Sequence, residues 1–414
     1  MNELKKNYNI DIGGMPFALN NCTRNQYRII ANISENVNIS ILQKAVDMVV
    51  PRFPMFTVKM HKRWNSLRCI THNAMKIEIS QYSNKFEPFD IYSDKPLFRV
   101  MYGEKFVCVE MFHILSDANG CIALLNSILA CYYEIFGMKV VKKNIIDHKS
   151  ACLEGEIEDS YFKYAKKTRA VLSTTKSITA KSFQQKCKSL PERQGIVCTY
   201  TFDVQSFKEA AKKYNATLHE YIVTSLCLAF NRMREECGNK KCVRIQMAIN
   251  LRKRFPSESL RNFVATTQFD TKSYEKEIIL QELKKHMEIA TSERELQAFM
   301  WSAVSLMYGS LRFIPRFIGD FLLKTGDKIL GEKANSTSFS NLGVVNNDLD
   351  KNGVISYEFI EGTPLYVPFL VSAISFKNIC NIVFSKNTED NLFEQYFLEE
   401  LQKDNIILTN INVK

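Results

Sequence analysis

The sequence predicts a two-lobed chain of the α/β or α+β class, and three observations lead there. At 414 residues the chain is long enough for two domains with sizeable cores. Strand-like and helix-like segments interleave in both halves. Between the halves, from about Lys143 to Gly195, the pattern loosens into polar, weakly periodic stretches such as HKSACLEGEIEDS and TTKSITAKSFQQKCKS. The expected division is a first lobe over 1–150, a linker or crossover over 151–195 and a second lobe over 196–414.

In chain order, Ser40 and Gln43 form a candidate capping box before Ile41, Leu42, Ala45, Val46 and Val49. That spacing predicts an amphipathic helix, which Pro51 ends. RFPMFTVKM and SLRCI then read as paired strands, and PLFRVMYGEKFVCVEMF reads as a hairpin turning at Gly103 to Lys105. A helix begins near Asp117, with Ile122, Leu125, Ile128, Leu129 and Tyr132 at helical spacing. In the second half Val197 to Phe202 reads as a strand, followed by a helix through Phe207, Ala210, Ala211 and Tyr214. Thr217 and Glu220 make a second capping box before Leu226 and Phe230. VRIQMAI, VISYEFI, PFLVSAIS and NIVFS read as strands, QELKKHMEIA as a charged helix, and Leu392, Phe393, Tyr396, Phe397 and Leu401 mark a closing helix.

Composition narrows the function classes. Hydrophobic residues at 46% and charged residues at 24% describe an ordinary globular chain. No apolar run reaches bilayer length, and MNELKKNYNIDIGG is too polar for the apolar region of a signal peptide. The cysteines are scattered without a CxxC pair, so the expectation is a cytoplasmic protein with reduced, mostly buried thiols. A net charge of +11 fits a lysine-rich solvated surface or attraction to anions such as a phosphorylated cofactor, an acidic carrier protein or an anionic membrane. Nucleic acid is disfavoured, because no zinc-finger, RNP or helix-turn-helix signature is present.

The chemistry concentrates in EMFHILSDANG, residues 110–120, where a buried strand ends in a sharp turn. Of the six histidines, His61, His72, His148, His219 and His286 read as surface or structural side chains. None stands at zinc spacing with cysteines or carboxylates, HExxH is absent and no metal is expected. His113 alone combines a strand-to-helix junction with a nearby acid, Asp117. A plainer reading makes Asp117 the cap of the helix and His113 a satisfied core histidine.

Four further segments, in the same order, carry a resemblance. HxxxDxxG after a strand resembles the chloramphenicol acetyltransferase-like superfamily, which includes alcohol acetyltransferases, peptide-synthetase condensation domains and the plant HxxxD acyltransferases. PRFPMFTVKM, INLRKRFPSESLRNF (249–263), LRFIPRFIGDFLLK (311–324) and SFSNLGVV (338–345) resemble the alcohol acetyltransferase-like branch. Two departures favour that branch over its sisters. The first histidine of the HHxxxDG pattern is Phe112 here, with the glycine displaced to Gly120, and SNLG stands where the plant enzymes carry DFGWG.

The resemblance implies two lobes, each a mixed β-sheet flanked by helices, with an active-site tunnel between them. It also implies acyl transfer from a CoA thioester, or a carrier-protein thioester, to a small alcohol or amine. Acyl-CoA would be a co-substrate, and no permanently bound cofactor is expected. A neutral His113 would act as general base. Asp117 and Arg252 would form a structural ion pair, the guanidinium holding the carboxylate bidentately. Ser340 and Asn341 would serve the oxyanion, or simply form a polar strand-end turn closed by Gly343. Asn250 and Asn262 are weaker candidates for positioning. LRFIPRFIGDFLLK reads as a proline-started helix packed on the core, or as a cover over the tunnel or a site of peripheral membrane contact. The chief alternative is a non-catalytic protein that keeps the fold to bind a thioester, carrier protein or lipid. A cysteine protease is disfavoured, because no nucleophile signature such as CG[SA]C[WY] accompanies the histidine.

Overall fold

A computed structural model describes residues 7–14, 25–62, 67–72, 75–172, 181–191, 195–306 and 334–414. The first half contains β1 (Asn7–Asn9), β2 (Gln26–Ile33), helix α1 (Ile39–Val49), β3 (Val58–Lys62), β4 (Leu67–Thr71), β5 (Ser80–Gln81), β6 (Phe98–Tyr102) and β7 (Phe106–Phe112). Helix α2 (Ala118–Ile135) and the short helices α3 (Glu154–Ile157) and α4 (Ser160–Tyr164) follow. The second half runs through β8 (Ile196–Asp203), α5 (Val204–Lys213), α6 (Leu218–Glu236), β9 (Val243–Asn250), β10 (Val264–Thr271), α7 (Lys276–Ala290) and α8 (Glu293–Val304). It ends with β11 (Thr337–Val344), β12 (Val354–Glu361), β13 (Phe369–Phe376), β14 (Ile379–Lys386), α9 (Leu392–Gln402) and β15 (Leu408–Val413).

These elements form two mixed sheets and a small antiparallel one. The first-lobe sheet has the order β12-β2-β7-β6-β5, the second-lobe sheet β10-β9-β11-β13-β14-β8-β15, and the small sheet β1-β4-β3. Helices α1 and α2 cover the first sheet through Leu42, Ala45, Val46, Val49, Leu124, Leu125 and Ile128, all with essentially no exposure. Each leucine, isoleucine or valine among them contributes roughly 1.5–3 kcal/mol by leaving water. Helices α6 and α9 cover the second sheet in the same way through Ile222, Leu226, Phe230, Phe393 and Phe397.

Strand β12 departs from the sequence reading, which groups it with the second half. Its residues pair antiparallel with β2, Tyr357 with Ala31 and Phe359 with Ile29, so it completes the first-lobe sheet. Its backbone is also gripped from the second lobe: Ser372 Oγ donates to the Phe359 carbonyl, and Asn381 Nδ2 donates to the Tyr357 carbonyl at 2.7 Å. Among the described residues the chain therefore returns to the first-lobe sheet at β12 and re-enters the second-lobe sheet at β13, and β12 is where the two sheets join.

The first capping box is corrected as well. The cap of α1 is Asn38, whose side chain accepts from the Ile41 N–H at 3.1 Å, while Ser40 donates to Asn38. Gln43 turns instead to a neighbouring extended segment, donating to the Ile77 carbonyl and accepting from the Ile79 N–H. The Thr217–Glu220 box is present at the start of α6. LRFIPRFIGDFLLK lies outside the described residues. Among the described residues the cysteines are unpaired and most are buried, and no helix is long and apolar enough to cross a membrane.

Candidate active site

His113 is the first residue beyond β7, the central apolar strand of the first-lobe sheet. Its N–H donates to the Asn25 carbonyl at 2.8 Å, and its own carbonyl accepts from Asn262 Nδ2 at 2.9 Å. The backbone is thus held on both sides as it leaves the sheet. The ring packs edge-on against Tyr27, with centroids 5.1 Å apart. Its Nδ1 lies 2.9 Å from Asn262 Oδ1.

That pair of contacts assigns the tautomer. Among the described residues Asn262 Nδ2 faces only oxygens, the His113 carbonyl and the Asp11 carboxylate, so it is the amide nitrogen. The Oδ1 must then accept from a protonated Nδ1, which leaves the lone pair of neutral His113 on Nε2. Burial lowers the His113 pKa, opposed by its own backbone carbonyl, Asp117 and Asn262, so the ring is neutral at neutral pH.

Asp117 does two jobs with two oxygens. Oδ1 caps α2 by accepting from the Asn119 N–H at 3.0 Å. Oδ2 accepts from Arg252 Nη1 at 2.7 Å and from the Phe263 N–H at 2.9 Å. The capping role and the ion pair, posed as rivals by the sequence, coexist. The expected bidentate geometry does not occur. Arg252 spends its remaining donors on the carbonyls of Ser259 and Arg261, so it staples its own loop, 249–263, while reaching the other lobe through one nitrogen.

The glycine of DxxG has a steric cause. A side chain at Gly120 would bring Cβ within 2.2 Å of the Leu260 carbonyl oxygen and of Ser116 Oγ. The first turn of α2 thus lies directly on the 249–263 loop, with Ser116 Oγ donating to the Leu260 carbonyl at 2.5 Å.

These residues border a cavity of about 650 Å³ between the lobes. Gln26, Tyr27, His113, Asp117 and Asn119 line it from the first half, and Asn250, Lys253, Arg254, Ser340, Asn341 and Glu361 from the second. Asn250 Nδ2 reaches Asn119 Oδ1 across it at 3.4 Å, and Asn250 Oδ1 accepts from the Arg252 N–H. Ser340 and Asn341 are not equivalent. The Ser340 hydroxyl donates to Glu361, whereas Asn341 accepts from the Gly343 N–H at 2.8 Å and keeps its Nδ2 without a partner among the described residues. Gly343 has φ +74°, the left-handed turn that lets this bond close.

Sequence reasoning assigned His219 a structural place, yet it lines the cavity, stacked on Phe339 with centroids 5.4 Å apart. Burial lowers its pKa to about 4, so it too is neutral. Its position in the first turn after a capping box was the only available signal. Lys253 and Arg254 are exposed at the cavity and have no side-chain partner among the described residues. They directly follow Arg252, so the loop that supplies the ion pair also supplies two open positive charges.

By sequence, no family model and no curated protein matches the chain. By structure it is similar to polyketide synthase associated protein 5 from Mycobacterium tuberculosis, at 9% identity and TM-score 0.64, covering 95% of this chain and 96% of that one. It is similar to the trichothecene 15-O-acetyltransferase TRI3 from Fusarium sporotrichioides, at 12% identity and TM-score 0.61, covering 96% and 95%. A variant of the starter condensation domain of rhizomide synthetase, in complex with C8-CoA and Leu-SNAC, is similar at 11% identity and TM-score 0.60, covering 98% of both chains. Likeness at these identities, along essentially full lengths, is likeness of fold. The chain has the chloramphenicol acetyltransferase-like fold shared by acetyltransferases and condensation domains, with its cavity at the junction of the two lobes.

Proposed function

We propose that the protein transfers an acyl group from a thioester, acyl-CoA in the first instance, to a hydroxyl or amine acceptor. The observation that carries this reading is a neutral histidine on the wall of an inter-lobe cavity, with Nδ1 engaged and the basic lone pair on Nε2. In the forward step Nε2 takes the proton of the acceptor as its oxygen or nitrogen attacks the thioester carbonyl. The tetrahedral intermediate then collapses, the C–S bond breaks, and the imidazolium returns its proton to the departing thiolate. No protein nucleophile and no metal is required by these steps.

The other residues have matching roles. Asn341 Nδ2 is the donor for the developing oxyanion, an interaction of the kind whose loss typically costs ~3 kcal/mol of transition-state stabilisation. Ser340, committed to Glu361, orders that wall. Asp117 and Arg252 hold the histidine turn against the 249–263 loop. Lys253 and Arg254 offer counter-charge to the phosphates of a phosphopantetheine thioester, whether borne by coenzyme A or by a carrier protein. Binding of C8-CoA by a protein of the same fold supports the choice of donor.

The test is release of free coenzyme from a panel of acyl-CoAs of increasing chain length, each with a panel of alcohols and amines, with the acylated product identified by mass. Product formed only when donor and acceptor are both present is the expected result. Tight binding of acyl-CoA with no product from any acceptor would favour the thioester-binding alternative, and product only from carrier-bound acyl groups would move the donor from coenzyme A to a carrier protein.

A further inference from the structure

Beyond the contact of Asp11 with the Asn262 amide, the segment DIGG, residues 11–14, is given no role in the reading above, yet it is built into the histidine turn. Asp11 is fully buried. Its carboxylate accepts from Asn262 Nδ2 at 3.3 Å, from the Asn262 backbone N–H at 3.4 Å and from the Gly14 N–H. Arg261 Nε lies 3.3 Å from the same carboxylate, and Arg261 also donates to the Asn9 carbonyl at 2.7 Å. Ile12 enters a core cluster with Leu251, Phe255 and Phe263. Space is so short here that a Cβ at Gly14 would stand 2.7 Å from the Ile114 carbonyl and 3.2 Å from Asn262 Nδ2. The N-terminal segment therefore packs against Asn262 and against Ile114, the residue that follows His113.

The consequence follows from the chemistry of an amide. Asn262 Nδ2 has two hydrogens, one bonded to the His113 carbonyl and one directed at Asp11. Rotating the amide by half a turn would set Oδ1 against two oxygens, one of them anionic. With that rotation blocked, Oδ1 must face His113 Nδ1.

We propose that Asp11 is a positioning residue for the acyl transfer proposed above: through Asn262 it holds neutral His113 in the tautomer whose Nε2 is the base. An amide at position 11 could meet Asn262 with either end, so Asp11→Asn removes the anionic half of the constraint while keeping the shape, and only the neutral His113 carbonyl still opposes the rotation. Burial raises the Asp11 carboxyl to about 7 against the pull of Arg261, with Asp159 adding to the rise. Wild type and variant are therefore compared well above that value, where the carboxylate is ionised.

The experiment reads the ring nitrogens of His113 by NMR in protein labelled with ¹⁵N-histidine, the signals assigned by their loss in His113→Gln, alongside kcat and KM. Wild type is expected to carry the proton on Nδ1. Asp11→Asn is expected to raise the Nε2–H fraction and to lower kcat by roughly ten- to a hundredfold, the scale of a hydrogen bond to a charged group, with KM little changed. Wild-type His113 protonated mainly on Nε2 would overturn the proposal, as would a folded Asp11→Asn protein with wild-type tautomer and kcat. If Asp11→Asn does not fold, Asn262→Ala cuts the relay at its centre and leaves the Asp11–Arg261 contact in place. An unchanged tautomer in that variant would also overturn it. The NMR signal needs no substrate, so a protein that transfers no acyl group still reports whether Asp11 governs His113, and the two proposals fail separately.

Discussion

The role proposed for His113, a base at neutral pH, needs a ring that is neutral before it takes a proton, and burial acts in that direction by lowering its pKa below 6.5. Two outcomes are expected. His113→Ala should lower turnover by ~10²–10⁴-fold while acyl-CoA binding, measured by calorimetry, changes little. The acid limb of kcat/KM should fall below pH 6.5, because only the neutral ring is active and protonation in the folded state needs more acid than in the unfolded chain. The same shift has a stability sign. Between the lowered folded value and 6.5 the unfolded state binds more protons, so this histidine's contribution is present above 6.5 and is lost as the pH falls through that window. An acid limb centred above 6.5 would remove His113 as the base. His113 and Asp117 were legible in the sequence because the acid stands four positions after the histidine at a strand-to-helix junction. Their governing contacts were not, since Asn262 lies 149 residues from His113 and 251 from Asp11, and no local pattern encodes such pairs.

At the scale of elements, the turn between β7 and α2 and the loop 249–263 behave as one unit. Asp117→Asn keeps an acceptor for the helix cap but removes the charge facing Arg252, a pair whose side chains are 3% and 15% exposed. A loss on the order of 3 kcal/mol is expected in denaturant unfolding, together with lower activity, because an unpaired guanidinium stays half-buried. Gly120→Ala should cost a further kind of fit: Cβ has no room against the Leu260 carbonyl, so ~1–3 kcal/mol and a displaced loop are expected. A crystal structure of that variant with the loop unmoved would contradict this. Periodicity made α1, α2, α6 and the β6–β7 hairpin readable. Strand β2 escaped, because Gln26 and Arg28 interrupt its apolar run. Arg28 is tolerated inside because Glu110, on the adjacent strand, meets it at 2.6 Å, a pairing that spans 82 residues, and the carbonyls of Ser83 and Lys85 take further donors of the same guanidinium. Strand β10 escaped for a related reason, its threonines and Gln268 giving little alternation.

For the whole molecule, the crossing of β12 decides what can stand alone. A division of the chain near residues 150 and 195 is reasonable from composition, since that stretch is polar and weakly periodic. The first-lobe sheet nevertheless takes one edge strand from Val354–Glu361, and nothing in VISYEFI distinguishes a strand that stays from one that crosses. A fragment ending near residue 195 should therefore expose the edge of β2, whose paired residues Ile29 and Ala31 are fully buried in the intact chain. It is expected to aggregate or remain unfolded by circular dichroism, and to recover only when the second half is supplied with it. A soluble, cooperatively melting fragment would show that β12 is dispensable to the first lobe.

The same strand bears on how the protein is made. Synthesis runs from the N-terminus, and domains usually fold in that order as they emerge from the ribosome. Here β2 and β7 are translated early, but their neighbour arrives more than three hundred residues after β2 begins, at a translation rate of about 5–20 residues per second a delay on the order of tens of seconds. For that interval a nascent first lobe presents an unpaired apolar strand edge, which makes the emerging chain, more than the finished one, the form that needs a chaperone.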